Sequence, residues 1–261
     1  MTVSLSRIRH FLFDLDGTLY LGESVLDGTL DLLARLRATG RSYAYVTNNS
    51  SRSTRDVEAK VAKLGMAVPA GCVITSGGAA VEYLRDRLHA TRAYVLGTPS
   101  LEAEVREGGI ALDAGRPDAV LLGMDMTLTY EKLSRATYLI RGGVPFVATH
   151  PDLLCPSPEG PIPDCGSLSA SLAAATGVEP TVIGKPYEAM LHTALGRLGA
   201  RPDTTAIVGD RLYTDIEMGL RGGLMTILVL TGEGTRELAR EYHRSPDLIV
   251  PTPRDLAALI E

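Results

Sequence analysis

Four short segments carry residues whose types and spacing could do chemistry. In Phe13-Asp14-Leu15-Asp16-Gly17-Thr18, two carboxylates follow directly on an apolar run. Residues i and i+2 of an extended segment project to the same side, so Asp14 and Asp16 face one site. Two anions held together either share a proton or bind a cation, and hard carboxylate oxygens suit Mg²⁺. Gly17-Thr18 adds a tight turn whose backbone N–H groups can approach an anion. The second segment, Val46-Thr47-Asn48-Asn49-Ser50-Ser51, brings hydroxyls and carboxamides, uncharged donors suited to phosphate oxygens. The third, Ile183-Gly184-Lys185-Pro186, brings a lysine able to neutralise a phosphate or a carboxylate nucleophile. The fourth, Ile207-Val208-Gly209-Asp210-Arg211-Leu212-Tyr213-Thr214-Asp215, again runs an apolar stretch into a carboxylate, with another five residues on.

Each segment has a plainer reading. Asp-Gly is a common turn, and Asn/Ser-rich stretches form turns and helix caps. A lysine before a proline can stand exposed at the first turn of a helix, and Asp215 would favour a helix N-terminus electrostatically. The combination is harder to dismiss. The C-terminal ends of strands in a parallel sheet share one edge, and here four such ends supply two carboxylate pairs, a hydroxyl and a lysine. That set fits phosphoryl transfer, which depends on positioning and charge neutralisation.

The elements that must position these residues are legible as ten short apolar runs, among them Arg9–Phe13, Tyr43–Thr47, Ala119–Leu122, Ala206–Gly209 and Thr226–Thr231. Runs this apolar, without strict alternation, suit strands buried on both faces of a parallel sheet. Helical patterns fall between them at Leu26–Ala38, Thr54–Leu64, Glu131–Arg141, Glu188–Leu198 and Asp215–Arg221. The alternation predicts an α/β fold. Pro151, Pro156, Pro158, Pro161 and Pro163 exclude a regular helix or central strand between Pro151 and Gly166. Such a loop reads equally as a lid or as a surface connector. His89, His192 and His243 fall in helical patterns and read as structural.

Composition bounds the rest. With 261 residues the chain is long enough for one large domain or two ordinary ones. A net charge of −5 argues against a general nucleic-acid binder. Cys72, Cys155 and Cys165 are odd in number and widely spaced, which argues against a disulfide framework or a zinc site. No apolar run reaches the roughly 18 residues of a membrane span, and Asp14 and Asp16 interrupt the first run too early for a signal peptide. A soluble, cytoplasmic protein is expected.

The order DLDGT, TNNSSRS, GKP and GDRLYTD resembles the haloacid dehalogenase (HAD) superfamily. Within it, the chain looks like the NagD-type nucleotidases and the phosphoglycolate, p-nitrophenyl phosphate and pyridoxal phosphatases. The resemblance covers nearly the whole chain, and GDRLYTD and TNNS are its more specific parts. It implies a Rossmann-like HAD core with a parallel sheet flanked by helices, over residues 1–77 and 181–261, and an α/β cap inserted at 78–180. The 138 positions from Thr47 to Lys185 (185 − 47) leave room for such a cap of about 100 residues. The resemblance further implies that Asp14 is the nucleophile of a phosphoaspartyl mechanism and Asp16 its general acid–base. Thr47, with Asn48 and Asn49, would hold the phosphoryl oxygens, and Lys185 would offset their charge and that of Asp14. Mg²⁺ would be held by the Asp14 side chain, the Asp16 carbonyl and Asp210, with Asp215 supporting the metal shell.

The implied substrate is a small phosphomonoester, and a homodimer through the cap is compatible with the family. Dehalogenases of the superfamily lack the second aspartate of DLDGT, so Asp16 favours a phosphatase. Two readings compete: a phosphotransferase or mutase using the same phosphoaspartate, and a non-catalytic phosphate-binding protein on the same fold. The 31 positions between Asp16 and Thr47 (47 − 16) are too few for the helical cap typical of the mutases. The intact Asp14, Asp16 and Asp210 speak against the binder. In Thr149-His150-Pro151-Asp152-Leu153-Leu154-Cys155, His150 stands where relatives often carry Asn or Asp, and Cys155 lies in a stretch that varies with specificity. The substrate itself is left open.

Overall fold

The computed structural model describes residues 5–66, 68–157 and 159–260. Contacts divide the chain into two compact units. The first comprises the described residues up to Thr47, Glu58–Ile74 and Met190 onward; the second comprises Asn48–Val57 and Thr75–Ala189.

The first unit is built on a six-stranded sheet in the order Leu248–Val250, Met225–Val229, Thr205–Gly209, His10–Phe13, Ser42–Thr47, Val73–Thr75. The first five run parallel. Phe11, Leu12 and Phe13 are fully buried, as a central strand covered on both faces requires. Helix Thr29–Ala38 covers part of the sheet by burying Leu32, Leu33 and Leu36 at helical spacing. Register then does the positioning: Phe13 lies opposite Val208 on one neighbour and Tyr45 on the other. The chain therefore leaves the sheet at Asp14, Asp210 and Thr47 along one edge, the place where open α/β sheets gather ligands.

The second unit carries a five-stranded parallel sheet ordered Thr181–Val182, Phe146–Ala148, Ala119–Leu122, Arg92–Leu96, Ala111–Leu112. Val120, Leu122, Phe146 and Ala148 pack there against Ala136, Leu139 and Ile140 of helix Tyr130–Arg141 and Leu172 of helix Cys165–Thr176. Cys165 is a fully buried member of this cluster, and burial pushes its thiol up to about 11. It is a packing residue. None of the three cysteines is disulfide-bonded. Among its described residues the proline-rich stretch holds a two-residue antiparallel pair, Leu154–Cys155 with Ile162–Pro163, before Asp164 caps the helix that starts at Cys165. Pro158 lies outside the described residues.

All ten expected strands are present. Helices Ser76–Asp86, Pro99–Glu107 and Cys165–Thr176 stand beyond the five helical spans named from the sequence. The first opens Ser-Gly-Gly, poor in helix propensity, but the Thr75 hydroxyl caps the N–H of Gly78 at 2.9 Å. The expected helix Asp215–Arg221 is present as the α-helix Glu217–Gly222, entered through one π-helical turn, Leu212–Ile216. Two of the three histidines expected in helices lie outside them: His89 follows Ser76–Asp86 at φ 52°, and His243 follows Arg236–Glu241. No helix among the described residues is long and apolar enough to cross a membrane.

Candidate active site

At the sheet edge of the first unit, Asp14, Asp210 and Asp215 each present a carboxylate oxygen within 4.8 Å of the other two, and all three residues are buried. Asp14 follows the central strand, and its N–H still bonds the carbonyl of Val208 at 2.9 Å. The hydroxyl of Thr18, itself fully buried, is shared between Asp14 Oδ2 and Asp210 Oδ1 at 3.3 Å each. Asp210 Oδ2 accepts the N–H of Glu233 at 2.8 Å. Asp215 Oδ2 accepts the N–H of Arg211 at 3.2 Å, which folds the π-helical turn back onto the strand end.

Gly17, Gly209 and Gly232 make room for this cluster, a Cβ on Gly209 standing 2.2 Å from the Asp215 carboxyl carbon. Gly17 has φ 81°, and a Cβ there would stand 2.6 Å from Asp210 Oδ2. A Cβ on Gly232 would overlap the Asp210 carboxylate outright. Like charges about 4 Å apart repel by about 4 kcal/mol at an effective dielectric of 20. A donor set made only of hard oxygens fits a divalent cation such as Mg²⁺.

Asp16 is not part of the trio. Its Oδ2 accepts the hydroxyl of Tyr20 at 3.0 Å, and the ring of Tyr20 lies under Lys60, whose Nζ is 3.9 Å from the ring centroid. Burial pushes the Asp16 carboxyl above its usual value. Lys60 pulls it back down, the charge of Asp14 pushes it further up, and the Tyr20 hydroxyl and Arg211 act downward. Alternation along an extended chain accounts for Asp14 and Asp16 leaving the strand together. The turn that follows separates what their carboxyl groups touch.

Thr47 ends the strand beside Asp14's and is buried. In the second unit, Asn48 and Lys185, 137 residues apart, are bonded to each other. Asn48 Oδ1 accepts the Lys185 N–H at 2.8 Å, while its Nδ2 donates to the Lys185 carbonyl and to Asp152 Oδ2, both at 3.0 Å. A carboxamide has two N–H donors, and both are engaged. Within the fold, the Asn48 carboxamide thus serves Lys185 and Asp152. Asn49 Oδ1 accepts the N–H and the hydroxyl of Ser51, at 3.0 and 2.9 Å, in an Asx turn. His150 is buried between Asp164 Oδ1 on Nε2 and Thr149 Oγ1 on Nδ1, each at 3.0 Å. The ring is satisfied within the fold.

Sequence reading missed Thr18 as a bridge between two carboxylates, Tyr20 as the partner of Asp16, and the loop after Met225–Val229. From that loop, Thr231 donates to the Gly17 carbonyl at 2.6 Å and Glu233 offers its N–H to Asp210. Thr18 stands inside DLDGT and was legible as a turn residue only; Thr231 was legible only as the end of an apolar run.

Comparison with known proteins agrees with this geometry. The profile of the haloacid dehalogenase-like hydrolases matches residues 11–111, and a HAD-hydrolase-like profile matches residues 182–256. A dihydroxyacetone phosphatase of Corynebacterium glutamicum is 35% identical over 98% of this chain and 92% of its own length. The 5'-nucleotidase YutF of Bacillus subtilis is 33% identical over 93% of both. Among solved structures, the 4-nitrophenylphosphatase of Thermotoga maritima is 40% identical with a TM-score of 0.94, covering 98% of this chain and 99% of that one. NagD from Escherichia coli is 30% identical with a TM-score of 0.88, covering 95% and 98%. With these carboxylates on the edge of a parallel sheet and likeness running end to end, the chain belongs to the haloacid dehalogenase-like hydrolases, in their NagD and 4-nitrophenylphosphatase branch.

Proposed function

We propose that this phosphoric monoester hydrolase of small phosphate esters depends on Mg²⁺ and works through a phosphoaspartyl intermediate on Asp14. The observation that carries the reading is the buried trio of Asp14, Asp210 and Asp215. Relatives named dihydroxyacetone phosphatase, 5'-nucleotidase and acid sugar phosphatase support small phosphomonoesters as the substrate class. Residues 78–180, which carry four of the five strands of the second unit's sheet, would act as the cap that selects among them.

A carboxylate oxygen of Asp14 attacks phosphorus as the bond from phosphorus to the ester oxygen breaks. Asp16 gives its proton to the departing alkoxide. As a carboxylate, Asp16 then takes a proton from water, which attacks the phosphorus of the aspartyl phosphate and returns Asp14 and inorganic phosphate. The burial that favours the protonated form of Asp16 suits its first task. Thr47 would donate to the phosphoryl oxygens, Asn49 would assist, and Lys185 would supply positive charge to them. Asp14, the Asp16 carbonyl and Asp210 would hold Mg²⁺, supported by Asp215. Bound there, the ion would neutralise charge on the nucleophile and on the phosphoryl oxygens.

The test is phosphate release over a panel of sugar phosphates, nucleoside monophosphates, glycerol phosphate, phosphoglycolate and 4-nitrophenyl phosphate. With Mg²⁺ the protein is expected to hydrolyse several of these. Excess EDTA should remove the activity, and added Mg²⁺ should restore it. Turnover that survives exhaustive chelation would refute the metal-dependent reading.

Gly232→Ala probes the cradle directly. The added methyl must displace the Asp210 carboxylate, and misplacement of a reacting group by about 1 Å costs roughly 10²-fold. The expected result is a loss of turnover on that order, with a raised Mg²⁺ requirement for half-maximal phosphate release. Unchanged Mg²⁺ dependence would mean that Asp210 is not a ligand.

A further inference from the structure

Lys185 has one of the largest fully buried side chains in the molecule, so the direction of its ammonium is set by the fold and not by solvent. One carboxamide bonds its backbone on both sides. Asn48 accepts the Lys185 N–H on one side and donates to the Lys185 carbonyl on the other, at 2.8 and 3.0 Å. The peptide units on both sides of the Lys185 Cα are thereby pinned, much as a neighbouring strand would pin them, at a point where the short strand Thr181–Val182 has already ended. The remaining amide N–H of Asn48 is used by buried Asp152, and the Asn48 carbonyl accepts the hydroxyl of Ser76 at 2.7 Å, so the clamp is itself held from two further elements.

Gly184 is part of the device. A Cβ there would stand 2.6 Å from Asn48 Oδ1 and 2.7 Å from the Thr149 carbonyl, too close for Asn48 to reach the Lys185 N–H.

We propose that Asn48 is a positioning residue for Lys185, and that its side chain acts on the phosphoryl group only through where it puts that lysine. The inference rests on the reading that Lys185 supplies charge at the phosphoryl site. It gives the Asn after Thr47 a different task from its neighbour, although both sit in one polar run. It also explains why a carboxylate would not serve at position 48. An aspartate there would set acceptors against the Lys185 carbonyl and the Asp152 carboxylate, where two donors now stand.

A double-mutant cycle tests this. Asn48→Ala, Lys185→Ala and the double variant are compared with the wild type by kcat/KM on 4-nitrophenyl phosphate and by the inhibition constant of inorganic phosphate, both with Mg²⁺. In the wild-type background Asn48→Ala should weaken both by about 10- to 100-fold, the scale of a misplaced group. In the Lys185→Ala background it should cost less than about threefold, because the clamp then holds only an alanine. Equal losses in both backgrounds would overturn the proposal and leave the role of Lys185 standing. No loss on Lys185→Ala alone would overturn the reading beneath it, and the proposal with it. Thermal melting is followed for every variant. Should Asn48→Ala not fold, Asn48→Ser, whose hydroxyl is too short to reach both backbone groups, enters the same cycle with the same expected outcome.

Discussion

Asp14→Asn is expected to abolish phosphate release from every ester the wild type hydrolyses, by on the order of 10⁴-fold or more, the scale seen when a covalent nucleophile is lost. The substitution is nearly isosteric, and the Asp14 N–H bond to Val208 belongs to the backbone, so the strand end should keep its shape. Removing one of three mutually repelling carboxylates should, if anything, ease the packing around Thr18, which now shares one hydroxyl between Asp14 and Asp210. Loss of turnover without loss of melting temperature is therefore the combined expectation. Wild-type protein stopped in acid during turnover should carry one acid-stable, hydroxylamine-sensitive phosphoryl group per active site, and Asp14→Asn should carry none. A variant that retains more than a few per cent of the wild-type rate would place the nucleophile elsewhere.

How much of this was legible in the sequence depends on the distance over which each signal acts. Strands buried on both faces are written as unbroken apolar runs, so His10–Phe13 and Thr205–Gly209 stood out, and with them the positions at which Asp14 and Asp210 leave the sheet. The adjacency of those two strand ends was not written locally. It follows from a strand order that places residues nearly two hundred positions apart in register. Helix Cys165–Thr176 escaped because it is apolar and small-residued all round, with no polar face to mark a period. Asn48 illustrates a different limit. Its residue type fits a phosphate donor as well as a clamp, and only the inventory of its partners separates the two. The same holds for Asp16, whose spacing from Asp14 suggested one shared site while its carboxyl bonds Tyr20.

That last difference carries the second large effect. In the proposed mechanism Asp16, with its carboxyl outside the trio and on Tyr20, would handle the proton while Asp14 would handle phosphorus. Asp16→Asn removes a group worth typically about 10²- to 10⁴-fold in general acid–base catalysis, but the loss should depend on which bond is breaking. An alkyl phosphate leaves as a strongly basic alkoxide and needs the proton, so its first step should slow by that full range and no phosphoenzyme should build up. A 4-nitrophenolate leaves without a proton, so its first step should survive, while attack of water on the aspartyl phosphate, which needs the carboxylate as base, should slow instead. Rapid mixing of Asp16→Asn with 4-nitrophenyl phosphate should then give a burst of one nitrophenolate per site followed by slow turnover. The same variant with glycerol phosphate should give slow release and no burst. Uniform slowing of both esters without a burst would mean that Asp16 shapes the turn around Gly17 and does not move protons. A burst confined to the better leaving group would assign both proton transfers, one in each half of the reaction, to this single carboxyl group.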